Sequence, residues 1–222
     1  MAGRQFDAVG VAFFAKYPTP GLVKTRLMTS FSAEQAANVH IALVQDQLRR
    51  FEALSGRTSV TLWGDQTASA PFYRGLLQAN PWLRFRLQRG NDLGCRMNFA
   101  FCTSLKRSPR VILVGSDCPE LGGGHVQALS SALDSHDLAL IGADDGGYVA
   151  IALKRPQPCL FRDVHWGTAA VLRKTLRLAR KAGLASCVVD TLSDIDEPAD
   201  LQRFPALMMR AGLGESKGAY PA

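Results

Sequence analysis

The sequence has no Cys-x-x-Cys pair, no apolar run long enough to span a bilayer, and fewer acidic than basic residues. Each shortage excludes something. Its cysteines, Cys95, Cys102, Cys118, Cys159 and Cys187, are odd in number and irregularly spaced. That argues against a disulfide framework or a zinc knuckle and fits a reducing, cytoplasmic setting. The apolar run from Ala8 to Ala15 is too short to cross a membrane and lacks a small-residue cleavage site, so neither a span nor a signal peptide is expected. Basic residues do not interleave with aromatics as a stacking platform needs, so nucleic acid is not an expected partner. There is no internal repeat, and no glycine-lysine-threonine spacing of a P-loop.

What is present is an ordinary globular composition. The chain has 222 residues, 47% hydrophobic and 20% charged, enough to bury a core without staples. We expect one domain over residues 1–211 and a loose tail over 212–222. The formal charge of +7 favours anionic partners such as nucleotides and phosphates.

Strand and helix patterns mostly alternate. Strands are expected at 7–15, 58–63, 85–88, 111–114, 138–141, 148–153 and 187–190. Helices are expected from a Ser32 capping box to about Leu54, then over 70–79, 92–106, 124–135, 168–182 with Thr168 as cap, and 197–210 with Pro198 in its first turn. This alternation implies an α/β fold with a largely parallel sheet and helices on both faces.

Ligands of such sheets bind beyond the carboxyl ends of the strands, so the loops there hold the candidates. After the first strand come Lys16, Gly21, Lys24 and Arg26. Cations and backbone N–H groups on a glycine loop suit a phosphate chain; the structural alternative is a solvated basic loop. After the fourth strand comes Gly115-Ser116-Asp117-Cys118-Pro119. A rigidly held Asp117 suits Mg²⁺ or Mn²⁺, which prefer oxygen ligands; the alternative is a turn or cap. Asp144-Asp145-Gly146-Gly147-Tyr148 is a second acidic turn, or a plain hairpin. Trp166 walls an acceptor pocket or belongs to the core. Asp194-Ile195-Asp196 offers two carboxylates expected to point in different directions, one of them completing a metal site with Asp117. The alternative is that Asp196 caps the next helix.

Taken in order, several stretches resemble a bacterial family of glycosyltransferase-A-fold, nucleotide-diphospho-sugar transferase-like proteins. They are Phe14-Ala15-Lys16 to Gly21, Lys24-Thr25-Arg26-Leu27, Asp92-Leu93-Gly94 with Arg96-Met97, Gly115 to Pro119, Asp145 to Tyr148, Trp166-Gly167-Thr168 and Asp194 to Pro198. The resemblance runs from about residue 9 to residue 203. Some relatives are linked to arsenosugar synthesis, and the same fold includes nucleotidyltransferases with a basic first loop and an Asp after Gly-Ser. Cys95 stands where relatives usually carry Glu.

The resemblance implies a Rossmann-like mixed sheet of the nucleotide-diphospho-sugar transferase type. It implies phosphate or nucleotide contacts from Lys16, Gly21, Lys24, Arg26, Arg96 and Ser116, and a divalent metal, Mg²⁺ or Mn²⁺, on Asp117 and Asp196. Asp145 or Asp194 is the expected base, and Gly146, Gly147, Tyr148 and Trp166 line the acceptor pocket. The expected reaction moves a sugar from a nucleotide-diphosphate donor to a small acceptor. The alternatives are nucleotidyl transfer from an NTP with release of pyrophosphate, and a non-catalytic nucleotide binder.

Overall fold

The computed structural model describes residues 8–54 and 58–213. The expected tail over 212–222 therefore lies, from residue 214 on, outside the described residues. The strands are β1 (Val9–Phe14), β2 (Thr58–Gly64), β3 (Arg84–Leu87), β4 (Val111–Val114), β5 (Leu138–Ala143), β6 (Tyr148–Leu153) and β7 (Ser186–Leu192). The helices are α1 (Ala33–Glu52), α2 (Pro71–Ala79), α3 (Leu93–Ser104), α4 (Gly123–Ala132), α5 (Val171–Lys181), α6 (Pro198–Gln202) and α7 (Pro205–Arg210). All seven strands join one sheet in the order β3-β2-β1-β4-β6-β5-β7. Only β6 runs antiparallel to its neighbours β4 and β5. This is the mixed, mostly parallel α/β sheet that the alternating pattern of strands and helices predicts.

The central strands are apolar on both faces, as expected for a sheet covered twice. Val11 and Phe13 of β1 and Ile112 and Val114 of β4 meet α1, α2 and α4 in one core. Ala12, Phe14, Val111 and Leu113 meet α3 and α5 in another. A third cluster packs α6 and α7 against α1 through Val39, Leu43, Leu201 and Leu207. Asp46, buried on α1, pairs with Arg210 of α7 and fixes that packing. No helix among the described residues is long and apolar enough to cross a membrane.

Three local expectations need correction. Thr168 does not cap a helix: its hydroxyl donates to the carbonyl of His165 at 2.9 Å, and α5 starts only at Val171. The residue at the cap position is Ala170, so the Thr168 hydroxyl lies too far back in the chain to serve the first N–H groups of the helix. The terminal helix is two helices, because Pro205 has no N–H to continue α6 and holds Phe204 out of helical geometry, at φ −126 and ψ 67. Asp196 is not the cap of α6; Glu197 is, with Asp200 reaching back to the backbone N–H of Asp196 and Glu197 at 3.1 and 2.8 Å.

Candidate active site at the carboxyl edge of the sheet

The carboxyl ends of the parallel strands lie along one edge, with the β5–β6 turn beside them. Two hydrogen bonds bind the loops there into one unit. Ile195 N–H donates to the carbonyl of Asp117 at 2.9 Å, joining the end of β7 to the end of β4. Lys24 Nζ donates to the carbonyl of Ile195 at 2.5 Å, joining the first loop to both. Ile195 itself is fully buried in the third cluster.

Asp194 and Asp196 flank that anchor. They were expected to point in different directions. Instead both carboxylates reach the same point, because residues two apart on extended backbone share a face. There they meet Asp145, and one oxygen from each of the three lies within 4.8 Å of the others. Asp145 is held by its own turn: its Oδ1 accepts from Gly147 N–H at 2.7 Å. Burial, then the charges of Asp196 and Asp145, push the Asp194 carboxyl up to about 6.

Lys24 lies under this cluster. Its side chain is only 4% exposed, and Nζ stands 2.8 Å from Asp117 Oδ1 and 3.4 Å from Asp196 Oδ1. Burial alone would lower its pKa, but the two carboxylates outweigh burial and hold it above the ordinary lysine value. Burial would raise the Asp117 carboxyl, yet the charges of Lys24 and His40 outweigh that and hold it low. The backbone of Lys24 is left-handed, φ 48 and ψ 42, a conformation that costs a non-glycine residue roughly 1 kcal/mol or more. In this arrangement the ammonium meets carboxylates and is not turned to solvent as a phosphate contact.

The other expected phosphate contacts are spread out. Arg26, 60% exposed, reaches Asp196 Oδ2 at 3.3 Å and keeps much of its guanidinium open to a ligand. Lys16 is exposed, and its carbonyl meets His40 Nε2 at 3.0 Å. Gly21 has φ +80 in the turn closed by Leu22 N–H on Thr19, which is why glycine stands there. Ser116 is buried and donates to Asp117 Oδ1 at 3.3 Å. Arg96 turns back to the carbonyl of Gly90 at 3.1 Å, and no contact among the described residues ties it to the carboxylates.

The expected acceptor residues are packed more tightly than a pocket requires. Gly146 has φ +87, and a Cβ there would lie 2.3 Å from the carbonyl oxygen of Ala169. Its surface is therefore filled by the segment before α5. The Tyr148 hydroxyl is buried without a hydrogen-bond partner among the described residues, so it does not face an open site. Trp166 packs edge-on to Tyr148 at 6.5 Å between centroids and lies over Gly94, where a Cβ would come within 2.9 Å of its ring. Trp166 is half-buried and serves both as core and as wall.

His40 was missed by sequence reasoning. It is buried on α1 and close enough to Asp117 to feel its charge, while burial lowers its pKa. The available signal was a histidine inside the apolar stripe of Ala36, Val39 and Leu43.

A mixed α/β sheet with convergent carboxylates and cations at its carboxyl edge defines a class: proteins of the nucleotide-diphospho-sugar transferase and nucleotidyltransferase fold. The chain belongs to a family described as "uncharacterized protein conserved in bacteria (DUF2064)", which it matches over residues 48–168. It is similar to the structure of a "putative nucleotide-diphospho-sugar transferase" from Desulfovibrio desulfuricans G20, at 30% identity and a TM-score of 0.78, covering 86% of this chain and 83% of that one. It shares its fold with a nucleotidyl transferase from Methanothermobacter thermautotroptrophicus, at 12% identity and a TM-score of 0.59, over 92% of this chain and 99% of that one. It shares it also with CMP:2-keto-3-deoxy-manno-octonic acid synthetase complexed with CTP, at 14% identity and a TM-score of 0.57, over 91% and 98%. No curated protein matches the chain.

Proposed function

We propose that this chain is a divalent-metal-dependent transferase that moves a sugar from a nucleotide-diphosphate donor to a small acceptor. One observation carries the reading: Asp145, Asp194 and Asp196 bring carboxylate oxygens within 4.8 Å of one another where ligands of this sheet type bind. Three carboxylates so close repel one another until protons or a cation neutralise them, and the raised pKa of Asp194 reflects that repulsion together with burial. An all-oxygen donor set suits Mg²⁺ or Mn²⁺. When bound, such a cation supplies charge neutralisation for a diphosphate leaving group.

The chain's own residues do the positioning. Lys24 holds Asp117 and Asp196 at fixed places, and the Gly147 N–H orients Asp145. Arg26 offers a half-free guanidinium to the diphosphate, with Lys16 further out on the same loop. This reading moves Asp145 and Asp194 from base to cation holders. Asp117 becomes the carboxylate that keeps Lys24 in place beside them. The relative from Desulfovibrio supports the sugar-transfer form through its name.

The test is product analysis with Mn²⁺ and a panel of nucleotide-sugars and NTPs. Release of a nucleoside diphosphate from one sugar donor, lost in Asp194→Asn, is the expected result. Release of pyrophosphate from an NTP instead would replace sugar transfer by nucleotidyl transfer at the same residues. Binding without turnover, unchanged in Asp194→Asn, would leave only a nucleotide binder.

A further inference from the structure

The opposite edge of the sheet, at the amino ends of the parallel strands, carries a hollow of about 360 Å³. Ser59 and Thr61 of β2 and Arg84 and Arg86 of β3 form its floor, and Arg107 and Ser108 just past α3 form its wall. The pleat explains the floor. Thr61 pairs with Arg84 and Trp63 with Arg86, so alternate residues of both strands share the face on which α3 lies. Higher on that face Trp63 and Phe14 are covered by Phe99 of α3 and nearby core residues. Lower down, the sequence switches to hydroxyls and guanidiniums, and no helix among the described residues fills the space. On the other face the same strands place Val60, Leu62 and Phe85 in the core.

The chemistry of the hollow has one sign. Among the described residues its charged lining is Arg84, Arg86 and Arg107, with no acidic residue. The guanidiniums of Arg86 and Arg107 have no hydrogen-bond or ion-pair partner among the described residues. Ser108 is 2% exposed, and its Oγ lies where a Cβ on Gly10 would come within 2.9 Å, so it borders the hollow with no partner among the described residues for its hydroxyl. The guanidiniums of Arg86 and Arg107 have no carboxylate among the described residues to neutralise them, and planar guanidiniums beside hydroxyls match the oxygens of a phosphate. The volume falls in the range of roughly 300–1,000 Å³ seen for small-ligand sites.

We propose that this hollow is a second anion site, separate from the carboxylate edge, that takes a phosphorylated small molecule through Arg86, Arg107 and the hydroxyls of Ser59, Thr61 and Ser108. The site stands independently of the transferase reading. The experiment is a titration of the full chain with inorganic pyrophosphate, in metal-free buffer at fixed ionic strength, followed by backbone amide NMR shifts. Expected are saturable shifts at Ser59, Thr61, Arg86 and Ser108, weakened at least tenfold in affinity by the double change Arg86→Gln and Arg107→Gln, and unaltered by Asp194→Asn. Both arginines are exposed, so the variant's amide spectrum away from the hollow should match wild type and show that it folds. Three results would overturn the proposal: shifts confined to residues 16–26, shifts untouched by the double change, or no saturable shift at all. In the last case the arginines serve only to keep the edge strand β3 from pairing with another chain.

Discussion

The two edges of this sheet collect charge in different ways. At the carboxyl edge, Lys24, Asp117, Asp145, Asp194 and Asp196 come from four loops far apart in the chain, and topology brings them together. Hydrogen bonds from Ile195 and Gly147 then lock most of them. At the amino edge, Arg84 and Arg86 meet Ser59 and Thr61 simply because β2 and β3 are neighbours and the pleat alternates. The first arrangement is crowded, with four carboxylates around the one buried ammonium of Lys24, and so depends on each partner. The second is open, and the guanidiniums of Arg86 and Arg107 there have no partner among the described residues.

That difference can be broken experimentally, and the largest effect belongs to the carboxyl edge. Asp196 is at once a member of the carboxylate cluster and a partner of both Lys24 and Arg26. Asp196→Ala should lower the rate of nucleoside diphosphate release on the order of a hundred- to a thousand-fold, the scale of losing a preorganised charge. Initial rates at saturating Mn²⁺ check this. A variant within threefold of wild type would remove Asp196 from the machinery.

Next comes the turn that presents Asp145. Gly146→Ala forces a side chain into positive φ and toward the Ala169 carbonyl at 2.3 Å. We expect a loss of roughly 2–3 kcal/mol in urea unfolding, from the left-handed backbone and the displaced segment before α5. Arg86→Gln on the other edge should change stability by no more than about 0.5 kcal/mol. Equal costs at the two positions would erase the contrast between a locked edge and an open one.

Lys24→Met sits between these. The buried ammonium is lost, but Asp117 is 47% exposed and Asp196 35%, so water can take over part of the solvation. A cost of about 1–2 kcal/mol follows, below that of breaking a fully buried pair. Activity should fall more than stability suggests, by roughly 10–100-fold, because two carboxylates lose their positioning. A variant that loses stability but keeps full rate would make Lys24 purely structural.

How much of this was readable beforehand follows the same division. The strands were legible because runs such as Val111–Val114 are apolar throughout, and the Ser32 capping box marked α1 plainly. The carboxyl-edge residues were legible as motifs in loops, since strand ends in such sheets are where ligands bind. Their partners were not. That Lys24 turns inward depends on a left-handed backbone and on Ile195 being anchored 171 positions away, and no local pattern carries either. His40 was hidden by its helix, and the filling of Gly146 by Ala169 is a contact between segments. The alternation of Arg84 and Arg86 with Phe85 was visible, but it becomes a site only once α3 is seen to leave that stretch open.

The smallest expected effect concerns the proton on Asp194. Its carboxyl titrates near 6 in the folded chain against an ordinary value of 3.8. A raised carboxyl contributes stability that is fully present below the ordinary value and is lost as pH climbs through the folded one. Without metal, wild type should therefore lose Tm relative to Asp194→Asn, which mimics the protonated form, as pH rises from about 4 to about 6, and the gap should level off above that. Added Mn²⁺ takes the place of the proton, so the stabilisation it gives wild type should grow with pH across the same window. Thermal melts of both proteins at half-unit pH steps, with and without Mn²⁺, decide it. A gap that stays flat from pH 4 to 7 would mean that Asp194 feels neither its burial nor its two neighbours, and that the three carboxylates lie too far apart in solution to share an ion.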